Sequence, residues 1–348
     1  AWQMLGASAL GGGVSATAGS SRQPSLTFAA DGSPVVAWVE TTGSQSNVRV
    51  ARFDATANAG AGAWVALGSS LSAGGISNTG SVSEVQLVNT SAGLAALWLD
   101  DASGTVQVFG RRFDGANWVA LGAGSTSGGG ISGAASDVSE LSVATDGVRV
   151  AVGWTQTVSG HQQVFAKQYD AGVWFGMSGS ASGNGVSDSS GNSRASTLAY
   201  AGGTLYMVWQ DMEDGFQNLR GERYSAGAWS SVGALTSHGP ATDNATVARD
   251  ATLASGGGAL WLFWTDEDTR RADQPQALYA KAWDGAGFVA RTPADADGDG
   301  ISESGGRLSG AALAVDALGR PVIAWSEADR GYAGDPAIPQ IYLRTDAP

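Results

Sequence analysis

The chain has 348 residues, 52 of them Gly and none Cys, with a formal net charge of −13. The missing cysteines exclude disulfides, thiolate zinc sites and Cys nucleophiles. The acidic balance argues against a nucleic-acid backbone or an anionic lipid surface as partner, since both call for a basic face, and no apolar run reaches the roughly 18 residues of a membrane-spanning helix.

The first residues, Ala1-Trp2-Gln3-Met4-Leu5-Gly6, read as the end of a repeat rather than its start. The same words return as Trp64-Val65-Ala66-Leu67-Gly68 and Trp118-Val119-Ala120-Leu121-Gly122, and more weakly at Trp174, Trp229 and Phe288. Between them, six Trp residues sit in near-identical apolar stretches: Trp38, Trp98, Trp154, Trp209, Trp264 and Trp325. They lie 60, 56, 55, 55 and 61 residues apart. A fixed internal period of this size makes each repeat part of one larger body.

Each full repeat carries the same four stretches. A small apolar run such as Ser25–Phe28 or Leu141–Ala144 comes first, followed by a turn such as Asp31-Gly32 or Asp146-Gly147. The Trp stretch is second. The third alternates towards an aromatic, as in Val108–Phe113 or Leu278–Trp283. A turn built on Asp114-Gly115 or Asp284-Gly285 leads into the fourth. Alternation bounded by Asp-Gly turns predicts antiparallel hairpins, so each repeat is a four-stranded meander with strands A to D.

The expected fold is all-β: a six-bladed β-propeller with blades at about 20–68, 81–122, 137–178, 194–233, 249–292 and 309–346. Radial packing lets each sheet cover the next. The last repeat has no fourth strand, and residues 1–6 are expected to supply it and close the propeller.

With all six repeats in view, the chain resembles bacterial extracellular β-propellers with degenerate repeats of about 55 residues. The likeness covers the whole chain and concerns architecture. The Ser-x-Asp-x-Gly-x-Thr-Trp box of sialidases, the Gly-His and Trp-Asp pairing of WD repeats and the kelch double Gly are all missing, and the repeats differ from the compact fucose-lectin unit. No activity is carried over from those families. The Gly/Ser/Ala/Asn-rich composition leads to the expectation of a bacterial protein exported to the cell surface or outside it, with the periplasm as the other place. A start at Ala1 fits a removed signal peptide or an arbitrary boundary, and the end at Asp346-Ala347-Pro348 leads to the expectation of a domain of a longer polypeptide.

In a propeller the D-to-A and B-to-C loops share one face, and here they are the long loops. The D-to-A loops repeat a word: Gly12-Gly13-Val14-Ser15, Gly74-Gly75-Ile76-Ser77, Gly129-Gly130-Ile131-Ser132 and Asn184-Gly185-Val186-Ser187. It reads as a structural turn, with an anion-holding nest of amides as the other reading. In the last such loop it becomes Asp295-Ala296-Asp297-Gly298-Asp299-Gly300-Ile301-Ser302-Glu303. Carboxylates at alternate positions followed by Gly resemble the first half of a calcium loop. Asp295, Asp297 and Asp299, with the Ile301 carbonyl and Glu303, are the expected calcium ligands, with a solvated acidic turn as the other reading, since the twelfth position is Gly306 rather than Glu.

Two residues after each B-strand Trp stand Glu40, Asp100, Gln156, Asp211, Asp266 and Glu327. Arg22, Arg194 and Arg249 are expected to pair with these acids. The B-to-C loops of the last three repeats are the longest and most charged. They place a candidate ligand-binding face at Asp211, Asp214, Asp266, Asp268, Arg271, Glu327, Arg330 and Tyr332, because loops that break a repeat are where function is added to a scaffold. The two His, His161 and His238, have no partner at metal spacing and read as surface residues. A non-enzymatic module in adhesion, assembly or glycan or protein recognition is expected. The alternative is a glycoside hydrolase or lyase using carboxylates of the same face.

Overall fold

A computed structural model describes residues 4–213, 215, 217–233, 235, 246–268, 276–292, 300–302, 307–328 and 340–345. Among them the only helical element is a single 3-10 turn, Asn58–Gly60. All other regular structure is strand, and the strands form six antiparallel sheets. Sheet one holds β1 (Ser20–Phe28), β2 (Pro34–Thr42), β3 (Gln45–Asp54) and β4 (Ala63–Ala66). Sheet two holds β5 (Val82–Thr90), β6 (Gly93–Asp100), β7 (Gln107–Phe113) and β8 (Trp118–Ala120). Sheet three holds β9 (Val138–Thr145), β10 (Val150–Val158), β11 (His161–Asp170) and β12 (Val173–Phe175).

Sheet four holds β13 (Ser193–Ala201), β14 (Thr204–Asp211), β15 (Asn218–Ser225) and β16 (Ala228–Ser231). Sheet five holds β17 (Thr246–Gly256), β18 (Ala259–Asp268), β19 (Gln276–Trp283) and β20 (Phe288–Val289). Sheet six holds β21 (Arg307–Val315), β22 (Pro321–Ala328) and β23 (Gln340–Thr345). Every sheet is a simple meander, each strand paired with its neighbour in sequence. The fold is a six-bladed β-propeller.

Contacts group the chain into two compact units, one of residues 1–157 and 167–176, the other of 158–166 and 177–348. In the first, β1, β5 and β9 lie side by side, and in the second β13, β17 and β21 do so. The A strands are thus where neighbouring sheets meet. Side chains stitch them together: Leu87 N–H donates to Ser25 Oγ (2.9 Å), Gln86 Nε2 donates to the Leu141 carbonyl (2.6 Å), and Leu253 N–H donates to Thr197 Oγ1 (3.1 Å).

The Trp that sets the period is buried in all six B strands, never more than 3% exposed. Strand alternation puts it on the same face as the residue two along. Around Trp98 the first unit builds a core from Val35, Val50, Leu87 and Ile76, and around Trp264 the second builds one from Val208, Leu253, Leu262 and Phe288.

The D-strand Trp has a different task. Trp118 Nε1 donates to the Leu67 carbonyl (3.0 Å), Trp174 Nε1 to Leu121 (2.5 Å), and Trp229 Nε1 to Met177 (2.7 Å). Each indole therefore bonds to the end of the preceding sheet's D strand. Trp64 Nε1 donates in the same way to the Leu5 carbonyl (3.0 Å), so Leu5 stands where the end of a preceding D strand would stand. Residues 4–6 form a bend and turn rather than a strand, and residues 1–3, on which the expected closing strand depends, lie outside the described residues.

Candidate functional site

The acids that follow the B-strand Trp do not open onto solvent. Glu40, Asp100, Asp211, Asp266 and Glu327 are each at most 4% exposed, because the two-residue period returns them to the buried face of the Trp. Glu40 takes Thr17 Oγ1 (2.9 Å) and Arg49 Nη2 (3.3 Å). Asp211 takes Ser193 Oγ (2.6 Å), Glu213 N–H (3.0 Å) and Arg220 Nε (3.0 Å). Asp100 accepts from Trp98 Nε1 (3.2 Å), Ala102 N–H (2.9 Å) and the Thr79 hydroxyl. Glu327 accepts from Trp325 Nε1 (3.0 Å).

These pairings correct the expected arginines. Arg22 donates to Thr41 Oγ1 (2.6 Å) and the Val82 carbonyl (3.4 Å), and Arg249 pairs with Glu267 (3.3 Å), the neighbour of Asp266. Arg194 lies opposite Gln210. The acids use C-strand arginines instead. Arg49 is in register with Trp38 and Arg220 with Trp209. At two positions that hold an aromatic, Phe109 opposite Trp98 and Tyr342 opposite Trp325, the carboxylate takes the indole N–H, whereas opposite Tyr279 the Trp264 indole N–H has no acceptor.

Of the candidate ligand face, Asp211, Asp266 and Glu327 are therefore interior, and Asp268 ends β18. Asp214, Arg271, Arg330 and Tyr332 lie outside the described residues, as do Asp295, Asp297, Asp299 and Glu303 of the expected calcium loop.

The remaining calcium-loop residue, Ile301, docks as its counterparts do. Ile76, Ile131, Val186 and Ile301 donate their N–H to the carbonyls of Val48 (2.9 Å), Val108 (2.6 Å), Val164 (2.7 Å) and Leu278 (2.7 Å). The following serines, Ser77, Ser132, Ser187 and Ser302, accept from the N–H of those same C-strand residues. The repeated word is thus a clasp, and the Ile or Val amide that a nest would offer to an anion is already used. A buried amide locks it: Gln107 Oε1 accepts from Ser132 Oγ (2.7 Å) and Ala134 N–H (2.9 Å), with Asn47 and Gln163 placed alike.

A feature that the sequence did not announce lies in the A strands. In five of the six it is a register irregularity beside the B-strand Trp, between Arg22 and Ser25 in sheet one and between Arg249 and Thr252 in sheet five, for example, whereas in sheet two the shift falls further on, between Val82 and Glu84. Gln23, Glu140, Ala195, Asp250 and Gly310 occupy these bulges with φ between 51° and 62°. For a non-glycine residue that conformation is strained, and strain of this kind clusters at functional positions. Two of the bulge residues are acids. Glu140 accepts from Thr155 Oγ1 (2.7 Å) and Asp250 from Thr265 Oγ1 (3.1 Å), each Thr following its B-strand Trp.

The bulges of β17 and β21 face one another across a cleft of about 440 Å³ within the second unit. Arg249, Asp250, Thr265 and Gln276 line it with polar groups, and Leu308 supplies apolar wall with Trp325 buried behind it. Arg249 is half exposed and tethered by Glu267. The cleft therefore offers a fixed cation, a fixed carboxylate and an amide that both donates and accepts.

In the first unit, burial pushes the Glu84 carboxyl above the usual range, and the Glu140 charge adds to the effect. Glu84 also accepts from Leu141 N–H (3.3 Å).

No protein-family model matches the chain, and no curated protein does. Among solved structures, the six-bladed fucose-binding lectin of Aleuria aurantia is similar over 92% of this chain and 95% of its own, with 11% identity and a TM-score of 0.46. An α-L-arabinanase of Penicillium chrysogenum is similar over 90% and 79%, at 9% identity and a TM-score of 0.39. An α-L-arabinofuranosidase of Fusarium graminearum covers 92% and 80%, at 12% and 0.41. Both lectins and glycoside hydrolases thus stand among the neighbours, and at these scores the functional reading rests on this chain's own residues.

Proposed function

We propose that the protein is a non-enzymatic recognition module that binds a glycan in the cleft between sheets five and six. The observation that supports this is the lining of that cleft. Arg249 and Asp250, fixed by Glu267 and Thr265, present a donor and an acceptor to one space, and vicinal hydroxyls satisfy both at once. Leu308, Ala251, Gly310 and Ala311 give the cleft apolar lining with Trp325 buried behind them. A cleft of this size suits a small ligand rather than a folded partner. Glycan-array binding tests the reading. Arg249→Ala and Asp250→Asn each lower affinity about tenfold, the loss of one or two charge-assisted hydrogen bonds. Binding unaffected by both substitutions refutes it.

A second reading, glycoside hydrolysis, is favoured by Glu84. Burial raises the Glu84 carboxyl above its usual range with Glu140 close by, and a raised carboxyl near a second carboxyl group is the arrangement of a general acid and its partner. Turnover of aryl glycosides that is lost in both Glu84→Gln and Glu140→Gln supports it. The proposal further includes calcium bound by Asp295, Asp297, Asp299, Glu303 and the Ile301 carbonyl.

A further inference from the structure

Two adjoining cavities, of about 610 and 410 Å³, run between sheets one and two on the side of the short Asp-Gly turns. They share Asp31, Arg52, Leu67, Phe113 and Gly115, so together they form one groove. It belongs wholly to the first unit and is separate from the cleft at Arg249.

The groove alternates fixed acceptors with a fixed donor. Asp54 Oδ1 accepts from Thr56 N–H (2.8 Å) and Thr56 Oγ1 (2.7 Å), and Asp114 Oδ1 from Ala116 N–H (2.9 Å) and Asn117 N–H (2.7 Å). Each turn thus uses one carboxylate oxygen and orients the other. The Thr56 bonds hold the Asp54 carboxyl below its usual range, and the Asn117 and Ala116 amides do the same for Asp114, so both stay ionised. Arg52 lines both cavities, its Nη2 held by Asp31 and Ser33 and its side chain partly exposed. Half-buried Phe113 forms part of the floor, and the lip is made of Ala and Gly.

We propose that this groove is a second binding site, for a neutral oligosaccharide. A hydroxyl donates to a carboxylate and accepts from a guanidinium, so a saccharide uses every polar group along the groove. A basic peptide would use only the acceptors. The small lip residues let a flat ring approach the Phe113 floor, which is how sugar faces are bound to apolar surface.

Isothermal titration with cellotetraose, xylotetraose, maltotetraose and chitotetraose tests the proposal on the full chain. At least one probe binds, and Arg52→Ala and the double variant Asp54→Asn/Asp114→Asn each weaken it at least about tenfold. Ala55→Trp, on an exposed turn with no hydrogen bond to lose, blocks the same site and guards against misfolding of the charge variants. The same titrations repeated in an Arg249→Ala/Asp250→Asn background, where the cleft of the second unit is disabled, still show the binding to the groove and its loss in the groove variants. The proposal is overturned if no probe binds at about 10 mM, if binding survives all three changes, or if the Arg249→Ala/Asp250→Asn background abolishes it. It is equally overturned if an octalysine peptide, and no saccharide, binds in a manner lost in the Asp54/Asp114 variant.

Discussion

Substituting Ala at Gly130 and at Gly128 separates two costs that the clasp combines. Both glycines have positive φ, 61° and 58°. A Cβ at Gly128 meets open space, whereas one at Gly130 would overlap the Val108 carbonyl oxygen. Gly128→Ala therefore carries only the left-handed backbone cost, about 1–2 kcal/mol. Gly130→Ala also pushes the loop off β7. That breaks the Ile131 N–H bond to Val108 (2.6 Å) and the Val108 N–H bond to Ser132 Oγ (2.9 Å), each about 1 kcal/mol. Ile131, only 3% exposed, then loses roughly 2 kcal/mol of burial.

The sum is about 5 kcal/mol against 1–2. At about 1.4 °C per kcal/mol for a chain of this length, Gly130→Ala lowers the melting temperature by about 7 °C and Gly128→Ala by about 1–3 °C. Calorimetric melts of the two variants read this directly. Equal shifts would refute the claim that the repeated word works by close approach to the C strand.

Three further outcomes are expected. Gln107→Leu strips acceptors from Ser132 and Ala134 and costs about 2–4 kcal/mol in urea titrations; a cost near zero would show that the lock is dispensable. Glu84→Gln keeps an acceptor for Leu141 N–H and raises the melting temperature at pH 7. The folded carboxyl titrates above its unfolded value of 4.5, so the native protein is penalised once pH rises through the folded value. The gain over wild type disappears below pH 4.5, and a gain that persists there would point to packing instead. Chelator lowers the melting temperature if calcium holds the 295–303 loop, and added calcium restores it; identical melts in chelator and in calcium would sink that assignment.

The repeat architecture was legible because its signals are local. Asp-Gly turns such as Asp114-Gly115 and the Trp period fix each hairpin and its alternation. The charge pairings were harder to read. Arg49 and Arg220 occupy the same place in their repeats as Phe109 and Tyr279, and only the pairing register shows that this place faces the Trp. The bulges left no residue signature, since Gln, Glu, Ala, Asp and Gly all occupy them. Trp154-Thr155 and Trp264-Thr265 were the one trace of the acids there, and that trace has meaning only once Glu140 and Asp250 are seen beside the hydroxyls. Asn47, Gln107 and Gln163 each precede the first apolar residue of a C strand, a regularity visible in the letters whose purpose is not.

The indole stitch gives the chain a modular grammar. Trp118 refers only to Leu67, Trp174 only to Leu121, and Trp229 only to Met177. A duplicated repeat spliced in at any of these junctions arrives with its own donor and offers its own carbonyl to the copy behind it. Gene-level copying can thus lengthen or shorten such an array without re-inventing a joint. Individual copies are then free to drift in their loops, as the later ones here have done.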